Sequence, residues 1–153
     1  TLSGNSIKNI ACSKITDSEV ESIIKKYNSI IKSMKKDGYK VNGNIVSNNP
    51  LEANKPYTDS SFKIVLSSNS NACKAGYRSN LKYKKYNEIA EKIINNKYSQ
   101  NLTYIPMFSS IIEIDNKNKE KWKTEFSTAD GMHFNEATTK TYVKKVFDYT
   151  KRL

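Results

Sequence analysis

The sequence predicts an α/β domain built on a parallel sheet, and three observations predict it. A long stretch from Thr16 to Lys36 carries apolar residues at helical spacing. Two short apolar runs, around Ile45-Val46 and over Leu102 to Ile105, read as strands closed by Pro50 and Pro106. Further helical patterns lie between and after these strands. Helix, strand, helix, strand, loop, helix is the order of a layered α/β domain, because parallel neighbours need a helical crossover.

In the first helix, Val20, Ile23, Ile24, Tyr27, Ile30, Ile31 and Met34 recur three and four apart and form one stripe. Thr16, Asp17 or Ser18 can cap its start, with Glu19 and Glu21 in the first turn. Lys35 and Lys36 complement the dipole at its end, before Gly38 as a C′ residue. Tyr39 to Asn48 reads as a strand around Val41 and Ile45-Val46. Leu51 to Asn80 is a polar, turn-rich excursion broken by the apolar run Phe62 to Leu66, a strand or a buried extended loop. The second helix is expected from about Leu81 to Asn95, with Tyr86, Ile89, Ala90, Ile93 and Ile94 inward. After the Leu102 to Ile105 strand, Ile111, Ile112 and Ile114 add apolar cover before a charged loop, Asp115 to Lys123. The last helix is expected over Asn135 to Arg152, burying Tyr142, Val143, Val146 and Phe147, with Asn135 as N-cap.

At 153 residues the chain suits one domain with one core. No apolar run reaches the roughly 18 residues a membrane-spanning helix needs. The formal charge of +11 comes almost wholly from lysine; Arg78 and Arg152 are the arginines. Nucleic-acid readers cluster arginine forks, whereas these lysines are scattered, so the charge reads as a solvated surface. A functional reading of that charge is attraction to an anionic polymer such as a cell-wall polysaccharide. Cys12 and Cys73 lack metal-ligand spacing, and with one histidine no metal site or other cofactor is expected. The two cysteines either pair, which by chain entropy would stabilise the fold by about 4 kcal/mol, or stay as buried thiols. Asn101-Leu102-Thr103 is a formal glycosylation sequon.

The one histidine, His133, stands in Asp130-Gly131-Met132-His133-Phe134-Asn135, just before the last helix. An aspartate three residues ahead of a histidine on a turn can accept the imidazole Nδ1–H. That fixes the tautomer and leaves Nε2 as a general base. In a parallel sheet this turn falls at the carboxyl edge of the strands, where ligands bind. Trp122, in the loop before the turn, could border a cleft and stack on a sugar, or anchor the loop by packing.

The Asp-Gly-x-His-aromatic turn followed by a C-terminal helix resembles the last block of the SGNH/GDSL hydrolases, flavodoxin-like esterases and lipases. Asp130, Gly131, His133 and Phe134 match it. The strand ending in Val46-Ser47-Asn48-Asn49-Pro50 resembles the one after the family's third block. Lys85-Tyr86-Asn87-Glu88 is similar to the start of the next helix, and Leu102-Thr103-Tyr104-Ile105 to the strand leading towards the last block. The resemblance implies a three-layer flavodoxin-like parallel sheet flanked by helices and lacking its first strand or strands. It also implies a single domain over residues 1–153 that is incomplete at its N-terminus; the start at Thr1 rather than Met reads as a processed or trimmed product.

In this register Ser3-Gly4-Asn5-Ser6 aligns with the third block, and Asn5 would be the oxyanion-hole asparagine. The Gly-Asp-Ser block with the nucleophile would lie upstream of Thr1. In a second register Gly4-Asn5-Ser6 is a variant nucleophile block, Ser6 the nucleophile, and Ser67 to Asn71 the third block. The resemblance implies a serine ester hydrolase, extracellular or at the cell surface, acting on O-acyl esters such as acetylated carbohydrate or cell-wall polymer, without cofactor. Asp130 and His133 would form the acid–base end of its triad, inactive without the serine. The alternative is a non-catalytic basic module that binds an anionic polymer or a protein partner.

Overall fold

The computed structural model describes residues 7–52, 63–64 and 73–151. A 3-10 turn over Cys12–Lys14 leads into α1 (Asp17–Lys36). There follow β1 (Gly43–Val46), β2 (Lys63–Ile64), β3 (Tyr77–Arg78), α2 (Asn80–Ile93) and a π turn over Ile94–Tyr98. The chain continues through β4 (Leu102–Ile105), α3 (Phe108–Ile111), β5 (Ile112–Ile114), β6 (Glu120–Trp122), a 3-10 turn over Thr124–Phe126, and α4 (Glu136–Thr150).

The central ladder is parallel: β1 pairs with β4 from Gly43 opposite Leu102 to Val46 opposite Ile105. Because successive strand residues point to opposite faces, this register separates two cores. Ile45, Leu102 and Tyr104 face α1 and α2, packing with Val20, Ile24, Tyr86, Ala90 and Ile93. Val46 and Ile105 face the other way, into Trp122, Phe126, Met107 and the inner side of α4. Helices therefore cover both faces, and the parallel α/β arrangement expected from the element order is present. Gly43 is set by the same geometry: a Cβ there would stand 2.7 Å from Leu102 Cδ2 and 3.0 Å from Ile31 Cγ1, where α1 lies against β1.

Local signals account for most helix ends. The Thr16 side chain accepts from Glu19 N, and the Asn135 side chain from Thr138 N. Gly38, with φ +95°, takes the left-handed conformation just past α1.

Three expectations need correction. The first strand is shorter than expected: Val41 precedes it, and β1 begins at Gly43. The stretch 115–123 is not all loop. Glu120–Trp122 pairs antiparallel with Ile112–Ile114 around an Asx turn, in which Asp115 Oδ1 accepts from Lys117 N (2.8 Å) and Lys119 N (2.9 Å). In α4, Val143 and Phe147 are 60 % and 58 % exposed. Thr138, Tyr142, Val146 and Tyr149 form the inner line at four- and three-residue steps, which turns 143 and 147 away from the core. Ile89, partly buried, packs against the core as expected, and Tyr83 and Lys82 also face inward at the start of α2.

Lys82 is fully buried, and its ammonium donates to the carbonyls of Lys8 (3.1 Å), Tyr77 (2.9 Å) and Lys74. Its three donors are thus met without a carboxylate. Lys85 Nζ donates to Cys12 O at 2.8 Å. Both lysines fasten the segment that carries the Cys12–Cys73 disulfide, whose cysteines also share a backbone bond from Cys12 N to Cys73 O. No helix among the described residues is long and apolar enough to cross a membrane.

Candidate functional site

The parallel ladder puts the ends of β1 and β4 at one edge, and Ser47 ties them. Its Oγ accepts from Met107 N and Phe108 N, both at 2.7 Å, and its own N–H donates to Ile105 O. The chain leaving β1 then meets the His133 turn, where Glu52 N donates to Gly131 O at 2.9 Å. The buried Glu52 carboxylate accepts from Ser127 Oγ at 3.0 Å, fixing the segment that enters the turn.

Within the turn, Asp130 organises everything through two oxygens. Oδ1 accepts from Met132 N (2.9 Å), His133 N (2.9 Å) and Thr128 Oγ1 (3.2 Å). Oδ2 meets His133 Nδ1 at 2.5 Å. Gly131, at φ +65°, supplies the left-handed step that folds the chain back on the carboxylate. Partial burial pushes the Asp130 carboxyl up. The bonds from the His133 ring, the two backbone N–H groups and Thr128 outweigh that and hold it well below the usual carboxylate range. An ionised carboxylate only accepts, so Nδ1 carries a proton, and in the neutral form of the ring Nε2 holds the lone pair.

Asp130 is one-third exposed and the His133 side chain 72 % exposed, so the ring is anchored at one nitrogen and open to solvent over most of its surface. Phe134, the next residue, packs inward with its ring edge towards Trp122, at a centroid distance of 6.4 Å and an interplanar angle of 64°. This fastens one end of the turn to the core, while Met132 packs into the core on the other face of the sheet.

The structure therefore brings Asp130 and His133 together. Trp122 does not serve as a stacking platform: it is 2 % exposed, on β6, and its indole is spent on packing under Phe134. Asn5 and Ser6 lie outside the described residues, as does the 67–71 segment of the second register. Asn101 is committed elsewhere, with Oδ1 accepting from Lys35 Nζ (2.8 Å) and Nδ2 donating to Asn28 Oδ1 (2.9 Å), so the nitrogen a glycan would take is already engaged. Sequence reasoning missed Glu52, Ser127 and Thr128. Thr128, two residues before an aspartate in a turn, carried a local signal; Glu52 is 75 residues from Ser127 and carried none. No group of three or more His, Cys, Asp or Glu side chains able to hold a metal ion occurs among the described residues.

No protein-family model matches the chain, and no curated protein matches it. Among solved structures, the chain is similar to one described as "a putative platelet activating factor from Streptococcus pneumonia", at 20 % identity and a TM-score of 0.55. The match covers 85 % of this chain and 51 % of that one, so the chain spans about half the length of the structure it resembles. At that identity the likeness shows the fold, and what it shows agrees with the parallel α/β arrangement described above.

Proposed function

We propose that Asp130 and His133 are the acid–base end of a serine ester hydrolase of the SGNH/GDSL kind. The observation that carries this reading is the single-anchored imidazole: Nδ1 on an ionised carboxylate at 2.5 Å, with the ring otherwise exposed at the carboxyl edge of a parallel sheet. In the reaction, His133 Nε2 takes the proton from a serine hydroxyl as its oxygen adds to the ester carbonyl. The imidazolium, stabilised by Asp130, returns that proton to the departing alcohol. Water then attacks the acyl-serine with the same base. The likeness to a structure described as a platelet activating factor gives only coarse support, at the level of fold.

In this reading the nucleophile is Ser6, outside the described residues, or a serine that the given sequence does not contain; Asn5 is the oxyanion candidate. The +11 surface favours an O-acylated anionic polymer as substrate, and the Cys12–Cys73 disulfide favours an oxidising, extracellular setting. The test is p-nitrophenyl acetate hydrolysis by this chain and by the whole gene product, each with His133→Ala and Ser6→Ala. We expect turnover from the whole gene product that falls by about 10³-fold or more in His133→Ala. Turnover by this chain that Ser6→Ala abolishes assigns the nucleophile to Ser6. Ester hydrolysis absent from both proteins, or unchanged by His133→Ala, overturns the proposal.

A further inference from the structure

The chain that leaves β1 has no regular structure, yet side chains of α2 hold its backbone. Asn48 N donates to Asn87 Oδ1 at 3.0 Å. The Asn80 side chain closes on Leu51 from both sides, accepting from its N–H at 2.6 Å and donating to its carbonyl at 2.9 Å. Asn80 and Asn87 both lie on α2, so a helix rather than a loose loop sets where the next residue, Glu52, stands.

From that fixed point Glu52 grips the His133 turn on both sides of Asp130. Its N–H donates to Gly131 O at 2.9 Å, and its two carboxylate oxygens share the Ser127 hydroxyl, each at 3.0 Å. The contact is passed on: Thr128, next to Ser127, donates from Oγ1 to Asp130 Oδ1 at 3.2 Å, and Asp130 Oδ2 meets His133 Nδ1. The residue type is the informative part. Glu52 is 7 % exposed, and among the described residues the Ser127 hydroxyl is the donor that reaches its carboxylate. A carboxylate offers about four acceptor sites. Burying one for a single hydroxyl costs desolvation that an apolar side chain filling the same space would avoid. Packing alone therefore does not account for a glutamate here; the bond to Ser127 does.

We infer that Glu52 is a positioning residue for His133: held on α2 through Leu51, it fixes the Ser127–Gly131 turn against the exit of β1 and so aims the Asp130 carboxylate at Nδ1. It acts wholly through the turn and touches no substrate in this role. Its bearing on catalysis rests on the reading of His133 as the base of an ester hydrolase; its bearing on the ring does not.

The test follows the imidazole in this chain and turnover in the whole gene product. Two variants break the bond, Glu52→Met and Ser127→Ala, and two conservative ones keep it, Glu52→Gln with its amide oxygen and Ser127→Thr with its hydroxyl. At a pH that keeps the ring neutral, long-range ¹H–¹⁵N spectra of the wild type should show the Nδ1–H tautomer. The breaking variants should each raise the Nε2–H form about threefold or more, and the conservative ones should leave it as in the wild type. Glu52→Met together with Ser127→Ala should do no more than either alone, since one bond is lost. With p-nitrophenyl acetate, kcat should fall about tenfold or more in the breaking variants, with KM within about twofold. Loss of packing alone would not be repaired by Glu52→Gln and Ser127→Thr in parallel. A wild-type tautomer in both breaking variants overturns the inference. A shifted ring in a protein that hydrolyses no ester leaves the positioning role standing and removes the catalytic reading. Hydrolysis that needs His133, with ring and kcat unmoved by the breaking variants, does the reverse.

Discussion

Replacing Asp130 with Asn separates what the carboxylate does for the turn from what it does for the imidazole. The amide oxygen can still accept from Met132 N and His133 N, now without charge, while an NH₂ group faces His133 Nδ1. Three charge-assisted bonds to Oδ1, from Met132 N, His133 N and Thr128 Oγ1, become ordinary ones, a loss of roughly 0.5–1 kcal/mol each. Screening of a side chain one-third exposed puts the sum near the lower end, at about 1.5 kcal/mol. The chemical effect is larger. An amide donor at Nδ1 moves the ring proton to Nε2, which removes the base and in a triad lowers turnover by about 10⁴-fold. Urea unfolding reads the first quantity, and long-range ¹H–¹⁵N spectra of the imidazole read the tautomer. A variant that keeps its proton on Nδ1, or a neutral wild-type ring with its proton on Nε2, contradicts this role of Asp130. The pH dependence has a fixed sign. The Asp130 carboxyl is depressed in the folded state, so its stabilisation is complete above its ordinary value of 3.8 and is lost as pH falls below that.

Three further outcomes are expected. Gly131→Ala forces a Cβ into the left-handed region at φ +65° and should destabilise by about 1 kcal/mol in urea unfolding; unchanged stability contradicts the turn geometry. Gly43→Ala puts a methyl 2.7 Å from Leu102 Cδ2, and should lower stability by about 1–3 kcal/mol by prising α1 from the ladder; a neutral effect means that contact is looser than described. Cys12→Ser with Cys73→Ser removes a crosslink between residues 61 apart, worth about 4 kcal/mol by chain entropy. The wild type should lose a similar amount on reduction and the double variant nothing. Insensitivity of the wild type to reductant contradicts the pairing.

The parts of this fold that the sequence discloses are those set by short-range physics. Thr16 and Asn135 cap helices as their side chains dictate, and Leu102–Ile105 is an apolar run with nothing else to be. The Asp130–His133 contact is equally local, because three residues and one glycine close it. Legibility fails where two elements must meet. Val143 and Phe147 share the apolar character of Tyr142 and Val146, and only the docking angle of α4 decides which pair packs inward. Trp122 reads in sequence as either a stacking surface or a packing anchor, and nothing nearby shows that it lies on the β5–β6 hairpin with Phe134 packed against it. Lys82 is the sharpest case: a lysine is expected at the surface, and its burial depends on three carbonyls from distant turns.

In the proposed reaction His133, oriented by Asp130, activates a serine. A fluorophosphonate probe tests this directly, since it phosphonylates only an activated hydroxyl. Incubation of the whole gene product followed by peptide mass spectrometry should give one modified serine, with a labelling rate that falls by about 10³-fold or more in His133→Ala. Labelling of no serine, or labelling at the same rate in the variant, would contradict activation by His133.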